Sequence, residues 1–495
     1  MHGTASPPEK KTSRRKWIRD AATLLAAPSA ASILPASVRA AAAGANGDVR
    51  LAFVGAQRRG DQLIDEFRKL PGVRVVAICD VDTQMFDRQL RKFDGKGRKP
   101  RTCVDFRRLL DAADVDALVV ATPDHWHALM TVRACQAGKD VYVEKPVSHN
   151  LFEGRRMVEA ARKYDRIVQA GTQNRSDVGL AAAREFLRQG KLGRIRLARG
   201  FDFPRRESIG KVDGPQPIPA SVDYNLFMGP APLLPLMRKN LHYDWHFVWP
   251  TGTGDCGNRG VHTLDHVRWL IGSEGLPAGA ISVGGRFGYD DDGQTPNTQI
   301  TLFDCRPVPV LWELMSLPAE KGAEEMPSFR GRRSSMVLEC EGGYLTGGRG
   351  GATAWDWNNK RIEHFPGDGG RSHYANFLEA VRTRKREIQR AEILEGHAST
   401  AFCHVANVSY LTGAKRSPAE IRRSIAPHAL LAEAFDRMAA HLAANEIDLE
   451  TDRLVLGPML ILDAETERFS GQSADKANAL TSRDYRQPFV VPEEV

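Results

Sequence analysis

Val49-Arg50-Leu51-Ala52-Phe53-Val54-Gly55-Ala56-Gln57-Arg58-Arg59-Gly60 runs from a short apolar strand into a glycine-bounded turn, and Leu63, Ile64, Phe67 and Leu70 then recur at helical spacing. Strand, glycine turn and helix are the opening of a Rossmann unit. Outward from it, a second apolar run, Val73 to Cys79, ends at Asp80, and a third, Ala117 to Ala121, ends at Thr122-Pro123. Strands alternating with helices predict a parallel sheet, whose ligands sit beyond the carboxyl ends of the strands. The polar residues fall at those ends.

Gly55 permits the tight turn and Gly60 close strand-helix packing, while the amides at the helix start favour a pyrophosphate through the dipole and their unpaired donors. Asp80 follows Gly60 by 20 residues, the spacing of a carboxylate that accepts hydrogen bonds from an adenosine ribose and repels a ribose phosphate. This favours NAD over NADP. The middle glycine of the fingerprint is replaced by Gln57, which puts a side chain where backbone approaches phosphate. Arg58 and Arg59 beside it offer charge to the pyrophosphate or to a ribose phosphate, so NADP stays open.

Downstream, Asp140-Val141-Tyr142-Val143 leads into Glu144-Lys145-Pro146, and Gly260-Val261-His262 comes later. The order of these segments resembles the Gfo/Idh/MocA family, the glucose-fructose oxidoreductase and inositol dehydrogenase relatives. Thr122-Pro123-Asp124-His125-Trp126-His127 is similar to its TP(N/D)xxH loop, and Gly171-Thr172-Gln173 to its following strand end. The resemblance implies that Thr122, Pro123, His127, Glu144 and Gln173 line the nicotinamide ribose. Read from residues alone, His125 and His127 are equally a pair of loop histidines binding nothing. They lack the carboxylate or thiolate partners of a metal motif, and no metal is expected.

After Gln173 the strand-helix rhythm weakens, and a Pro- and Gly-rich stretch from Phe203 to Pro235 has the length of a functional or covering loop. His242-Tyr243-Asp244-Trp245-His246-Phe247-Val248-Trp249 concentrates the polar and aromatic groups of a sugar site. In Gly254-Asp255-Cys256-Gly257-Asn258-Arg259-Gly260-Val261-His262-Thr263-Leu264-Asp265, the apolar spacing predicts a helix from Asn258 to about Ile271, with Asn258, His262 and Asp265 near one face. On its own this is a capped helix with satisfied polar groups. It also resembles the family's catalytic GDxGNxGxHxxD pattern, although many relatives carry Asp where Asn258 stands. Asn cannot accept a proton as Asp can, so Asn258 would orient a hydroxyl while His262 or Lys145 handles the proton.

Hydride transfer needs a base for the hydroxyl proton, with the reacting groups about 3 to 3.5 Å apart. Lys145 and His262 are the candidates, the lysine either with a depressed pKa or as an ammonium donor to the developing alkoxide. In relatives these two residues converge at the nicotinamide.

The chain has 495 residues, 42% hydrophobic and 26% charged, which is globular composition for two domains. Ser13-Arg14-Arg15-Lys16-Trp17-Ile18-Arg19 precedes an Ala/Leu-rich stretch broken by Pro28 and Pro35, which reads as a twin-arginine export signal and a periplasmic address. The prolines interrupt it before a membrane span is reached, so no stable membrane insertion is expected. Residues 1–43 hold seven basic groups against two acidic ones, so the formal charge of +8 falls to about +3 once they are removed. That gives no case for a nucleic-acid partner. Seven scattered cysteines without a CxxC pair form neither a disulfide framework nor a zinc signature.

The resulting reading is an α/β chain: signal at 1–43, Rossmann NAD(P)-binding domain at 48–172, an α+β substrate domain with an open, largely antiparallel sheet at 173–415, and an accessory extension at 416–495. Gly471 to Asp484 is read as a loop. Expected partners are a sugar or polyol and a second copy of the chain, paired through the open sheet as in relatives. The function expected first is hydride transfer at a secondary hydroxyl of a sugar, polyol or glycoside. The alternatives are a glycosidase or lyase that uses tightly bound NAD in an oxidation, elimination and reduction cycle, and a non-catalytic sugar-binding protein.

Overall fold

A computed structural model describes Gly3 and residues 47–95 and 97–495, so the signal read at 1–43 lies, but for Gly3, outside the described residues. Six strands, β1 (Val49–Val54), β2 (Val73–Cys79), β3 (Arg101–Cys103), β4 (Ala117–Val120), β5 (Asp140–Val143) and β6 (Val168–Ala170), form a parallel sheet in the order β3-β2-β1-β4-β5-β6. Helices α1 (Arg59–Phe67), α2 (Gln84–Arg91), α3 (Arg107–Leu110), α4 (Asp124–Gln136) and α5 (Leu151–Lys163) connect them in turn. Strand β4 is buried at every position, as a strand covered on both faces must be. Val54 pairs with both Cys79 and Val120, Val120 with Val143, and Val143 with Ala170. The next residue on each strand, Gly55, Asp80, Ala121, Glu144 and Gly171, therefore stands in one row along the carboxyl edge of the sheet.

The second sheet has twelve strands: β7 (Ile195–Asp202), β8 (Gly279–Gly285), β9 (Thr298–Asp304), β10 (Val310–Met315), β11 (Ser334–Cys340), β12 (Gly343–Gly348), β13 (Gly351–Trp355), β14 (Arg361–Pro366), β15 (Ala414–Arg416), β16 (Leu454–Leu456), β17 (Leu460–Asp463) and β18 (Arg468–Ser470). The long path runs β14-β13-β12-β11-β7-β10-β9-β8-β16-β15, and β17 pairs with both β8 and β18. Only the β7–β10 pair is parallel, so the sheet is mixed and mostly antiparallel. Of the helices that follow, α6 (Val178–Arg188), α7 (Tyr224–Met228), α8 (Val261–Ile271), α9 (His373–Thr383) and α10 (Ile393–Leu411), three, α6, α8 and α10, share a core with one face of this sheet. Helix α9 instead packs Phe377, Leu378 and Val381 against the first domain.

The opposite face is covered by α11 (Pro418–Ile425) and α12 (Ala429–Ala444), whose Leu431, Phe435, Met438 and Leu442 bury against Phe201, Ile300, Leu302 and Leu311. At its centre the buried Glu313 carboxylate is held between Arg199 at 3.1 Å and Arg437 of α12 at 2.7 Å. The homo-oligomer expected through this sheet thus meets a face that the chain's own extension already occupies over β9, β10 and their neighbours. The extension also supplies β15 to β18 at the sheet edge, and the expected loop after Gly471 contains a further helix, Ala474–Ala479, joined to β18 through Asn478, which bonds both main-chain groups of Phe469.

Past this helix the chain returns to the first domain. Phe489 and Val491 enter its core, with the Phe489 ring 5.4 Å from that of Trp126. Arg156 and Lys163 of α5 reach the main-chain oxygens of Glu493 and Val495.

Candidate active site

The glycine turn after β1 is fixed by space as well as by conformation. Gly55 has φ +84°, and a Cβ on it would lie 2.6 Å from the Ala121 oxygen; on Gly60 it would lie 1.9 Å from the Gly55 oxygen. Ala56 N donates to Asp80 Oδ2 at 2.7 Å and Asp82 N to Oδ1 at 2.9 Å, which sets the carboxylate beside the turn. Burial raises the Asp80 pKa.

A cleft of about 280 Å³ follows the row of strand ends. Val104 and Phe106 lie past β3, Asp80 and Val81 past β2, Gly55 and Gln57 past β1, Thr122 and Pro123 past β4, and Glu144 and Lys145 past β5. From β3 to β5 is four strand steps, about 19 Å at the usual ~4.8 Å spacing. An apolar slot, a carboxylate, a helix start with unpaired amides and a polar end thus succeed one another along one groove, and a dinucleotide fits that sequence of chemistries.

The two arginines beside Gln57 are engaged rather than free. Arg58, at φ +42°, places its guanidinium 4.5 Å above the Tyr243 ring. Arg59 Nε donates to Glu144 Oε1 at 2.7 Å, and its Nη2 to Tyr374 Oη at 3.0 Å. Gln173 Nε2 reaches the same Glu144 oxygen at 3.2 Å. The Glu144 carboxylate is therefore tied to the glycine turn.

The Pro- and Gly-rich loop roofs this cleft. Asp82 and Val222 form a bridge, Asp223 N donates to Val81 O at 2.9 Å, and His242 Nε2 lies 2.9 Å from Asp82 Oδ2. These contacts staple the loop beside Asp80, and Leu226, Phe227, Trp245 and His246 from the same region complete the lining.

His125 and His127 are buried, and each ring nitrogen faces a main-chain oxygen: Thr251 and Phe227 for His125, Pro146 and Thr122 for His127. Burial lowers both pKa values, that of His125 to about 3. The His127 ring lines the cleft while tethering Thr122 to the Lys145-Pro146 turn.

A second cleft, about 580 Å³, opens toward the second domain, and Arg59, Glu144, Lys145, Tyr243 and Asn258 line both. Lys145 Nζ donates to Asn258 O at 2.7 Å and to Asn258 Oδ1 at 3.2 Å. Burial lowers its pKa, against the pull of Glu144 and Asp124. His262 lines the second cleft with no hydrogen-bond partner among the described residues, and burial, with Lys145 next, holds it well below the usual imidazole range.

The expected helix from Asn258 instead begins at Val261, after a π-helical turn over Cys256–Gly260. The wider winding presents Asn258 to Lys145 and leaves Asp265 apart, buried in an ion pair with Arg175 at 2.8 Å. Three residues that the sequence reading gave no role stand behind this site. Arg206 grips Asp255 at 2.8 and 2.5 Å beside Asn258, and Asp124, accepting from Thr253 Oγ1 at 2.7 Å, is raised by burial to about 7. Asp124 and Asp255 belonged to quoted motifs, whereas Arg206 carried no local signal.

The profile of the oxidoreductase family with an NAD-binding Rossmann fold matches residues 49–172, and that of its C-terminal alpha/beta domain matches 193–294. The chain belongs to the Gfo/Idh/MocA oxidoreductase family. Its first domain is accordingly an NAD-binding domain. Among curated relatives, an alpha-N-acetylgalactosaminidase of Shewanella oneidensis is 31% identical over 121 residues, 23% of this chain and 26% of the relative. The chain thus spans about a quarter of the length of the curated relatives it matches. The WlbA dehydrogenase of Bordetella pertussis, solved with NADH and UDP-GlcNAcA, superposes with TM-score 0.53 at 19% identity, over 73% of this chain and 95% of that one. An aldose-aldose oxidoreductase of Caulobacter crescentus, complexed with glycerol, gives 0.55 at 16%, over 73% and 96%. These two likenesses show the fold alone.

Proposed function

We propose that the protein oxidises a secondary hydroxyl of a sugar or glycoside by hydride transfer, with Lys145 as the group that handles the hydroxyl proton. The observation that carries this reading is the position of Lys145: half-buried where the two clefts meet and donating to Asn258. Gly55, Gly60, Asp80, Thr122 and Pro123 would hold NAD, which when bound accepts a hydride from a carbinol carbon and can return it. A neutral Lys145 takes the proton from the hydroxyl as the carbon loses hydride, and burial favours that neutral form. Asn258 aims the amine through its two oxygens, Glu144 anchors the turn that carries the lysine, and neutral His262 offers an acceptor to a neighbouring hydroxyl or acidified C–H.

A second reading is favoured by the roof over the cofactor cleft. A loop stapled at Asp82 and Val81 would slow cofactor exchange, which suits a retained cofactor and no net redox change. In that case the ketone formed at Lys145 acidifies the adjacent C–H, His262 removes that proton, the glycosidic bond breaks by elimination with the leaving oxygen taking up a proton, water adds to the resulting enone, and the hydride would be returned to the ketone. The name of the Shewanella relative supports this reading. The Arg14-Arg15 stretch supports action in the periplasm, where a retained cofactor would be an advantage.

The test is to denature purified protein and identify the released nucleotide, then follow the reduced-nicotinamide absorbance in single turnover with sugars and glycosides. Lasting reduction marks a dehydrogenase, and transient reduction with release of free sugar marks the glycosidase. Neither nucleotide nor NAD binding would sink both.

A further inference from the structure

The second cleft carries an excess of positive charge: Arg59, Arg206, Arg259, Arg332 and Arg349 line it against two carboxylates, Glu144 and Asp202. Ion pairing accounts for part of this. Arg59 is held by Glu144, and Arg206 by Asp255. Asp202 already accepts from Thr263 Oγ1 at 2.8 Å, Ser334 Oγ at 2.5 Å and Trp312 Nε1 at 3.3 Å, and Arg259 stands 4.0 Å from it with a buried Nε that has no hydrogen-bond partner. Neither Arg332 nor Arg349 has a carboxylate within ion-pair distance among the described residues.

These last two guanidiniums come from fixed turns. Arg332 sits on the turn closed by Phe329 N to Arg332 O at 2.9 Å, and Arg349 at the tip between β12 and β13. That tip is held by Asp177 Oδ2, which accepts from Gly350 N at 3.2 Å and from Gly369 N at 2.7 Å. Guanidinium groups match carboxylate and phosphate oxygens in pairs, and a concave surface of one sign concentrates anions.

We propose that the second cleft selects sugars bearing an oxyanion, a carboxylate or a phosphate or sulfate ester, held by Arg332 and Arg349 together with Arg259, while the reacting hydroxyl lies at Lys145. This selectivity rests on the sugar-oxidising reading above. It makes the substrate an acidic sugar or acidic glycan fragment rather than a neutral one.

The test is calorimetry on the protein with NAD added, comparing glucuronate, galacturonate and glucose-6-phosphate with glucose and galactose. At least one acid binds ten-fold or more tightly than its neutral counterpart, the preference shrinks with added salt, and R332A/R349A erases it. Whether uronate or phosphate binds better identifies the anion. Both side chains are exposed and have no ion-pair partner among the described residues, so an unchanged melting temperature verifies that the double variant is folded. Absence of acid binding, equal affinity for neutral sugars, or a preference that survives R332A/R349A overturns the proposal. Acid-selective binding with no reduced-nicotinamide signal for any acid sugar sinks the hydride reading and leaves the selectivity standing, and redox turnover confined to neutral sugars does the reverse.

Discussion

Lys145 Nζ donates to both oxygens of one residue, the main-chain and side-chain oxygens of Asn258, at 2.7 and 3.2 Å. A carboxamide there accepts the hydrogen bond without bringing a negative charge, and burial still lowers the lysine pKa. Asn258→Asp supplies the missing negative charge and raises the Lys145 pKa by about 1 to 3 units. The acid limb of the kcat/KM profile then moves to higher pH by a similar amount. A limb that stays in place shows that another group is the base.

Lys145→Met removes the amine but keeps an apolar stem of similar length. The single-turnover rate falls by about 10² to 10⁴, the usual worth of a positioned acid or base. NAD affinity by fluorescence titration stays within about three-fold, because a general base lost without binding energy lowers kcat rather than affinity.

Asp124 has a native pKa of about 7, above its ordinary value near 3.8, so the native state holds a proton that the unfolded chain releases. Its contribution to stability is full below the ordinary value and is lost as pH rises toward 7 and beyond. Asp124→Asn keeps an acceptor for Thr253 and removes the ionisation. In urea melts the variant should gain on the parent between about pH 4 and 7 and hold that gain at higher pH. A constant difference would show that Asp124 ionises normally.

Gly60→Ala puts a carbon where the Gly55 oxygen stands, 1.9 Å from it. The turn must open to admit it, and NAD affinity falls at least about 100-fold as the helix start withdraws from the pyrophosphate. Gly190→Ala, whose Cβ meets nothing within 4 Å, serves as the control and leaves NAD affinity unchanged despite its positive φ.

Phe489→Ala empties a site in the first-domain core against Trp126. The loss is about 3 to 5 kcal/mol in unfolding free energy. Since Trp126 lines the cofactor cleft, NAD affinity falls in the folded fraction too, which a titration well below the melting temperature detects.

The first domain was legible because β1, β2, β4 and β5 announce themselves locally as apolar runs and parallel register then aligns the residue after each one, whereas the short, exposed β3 carried no such signal. Gly55, Asp80 and Glu144 needed no further information to be placed on one edge. The turn at Asn258 was not legible in the same way, since hydrophobic spacing reports the face of an α-helix and is blind to a single wider turn at its start. Arg332 and Arg349 were missed for another reason: hairpin tips are set by which strands pair, and the sequence reading found strands without their partners. The spacing of Leu431, Phe435, Met438 and Leu442 does mark an apolar helix face, but nothing in that stretch says which surface it covers. Phe489 is the extreme case, a core residue of the first domain encoded at the far end of the chain.

That last feature bears on the order of assembly. The strands and helices of the nucleotide-binding domain leave the ribosome early, yet Phe489 and Val491 are among its buried residues and emerge only after the whole second domain. Its core stays incomplete until residues 489–491 have been made, so a chain stalled or stopped before them carries a domain with an open seam along α4.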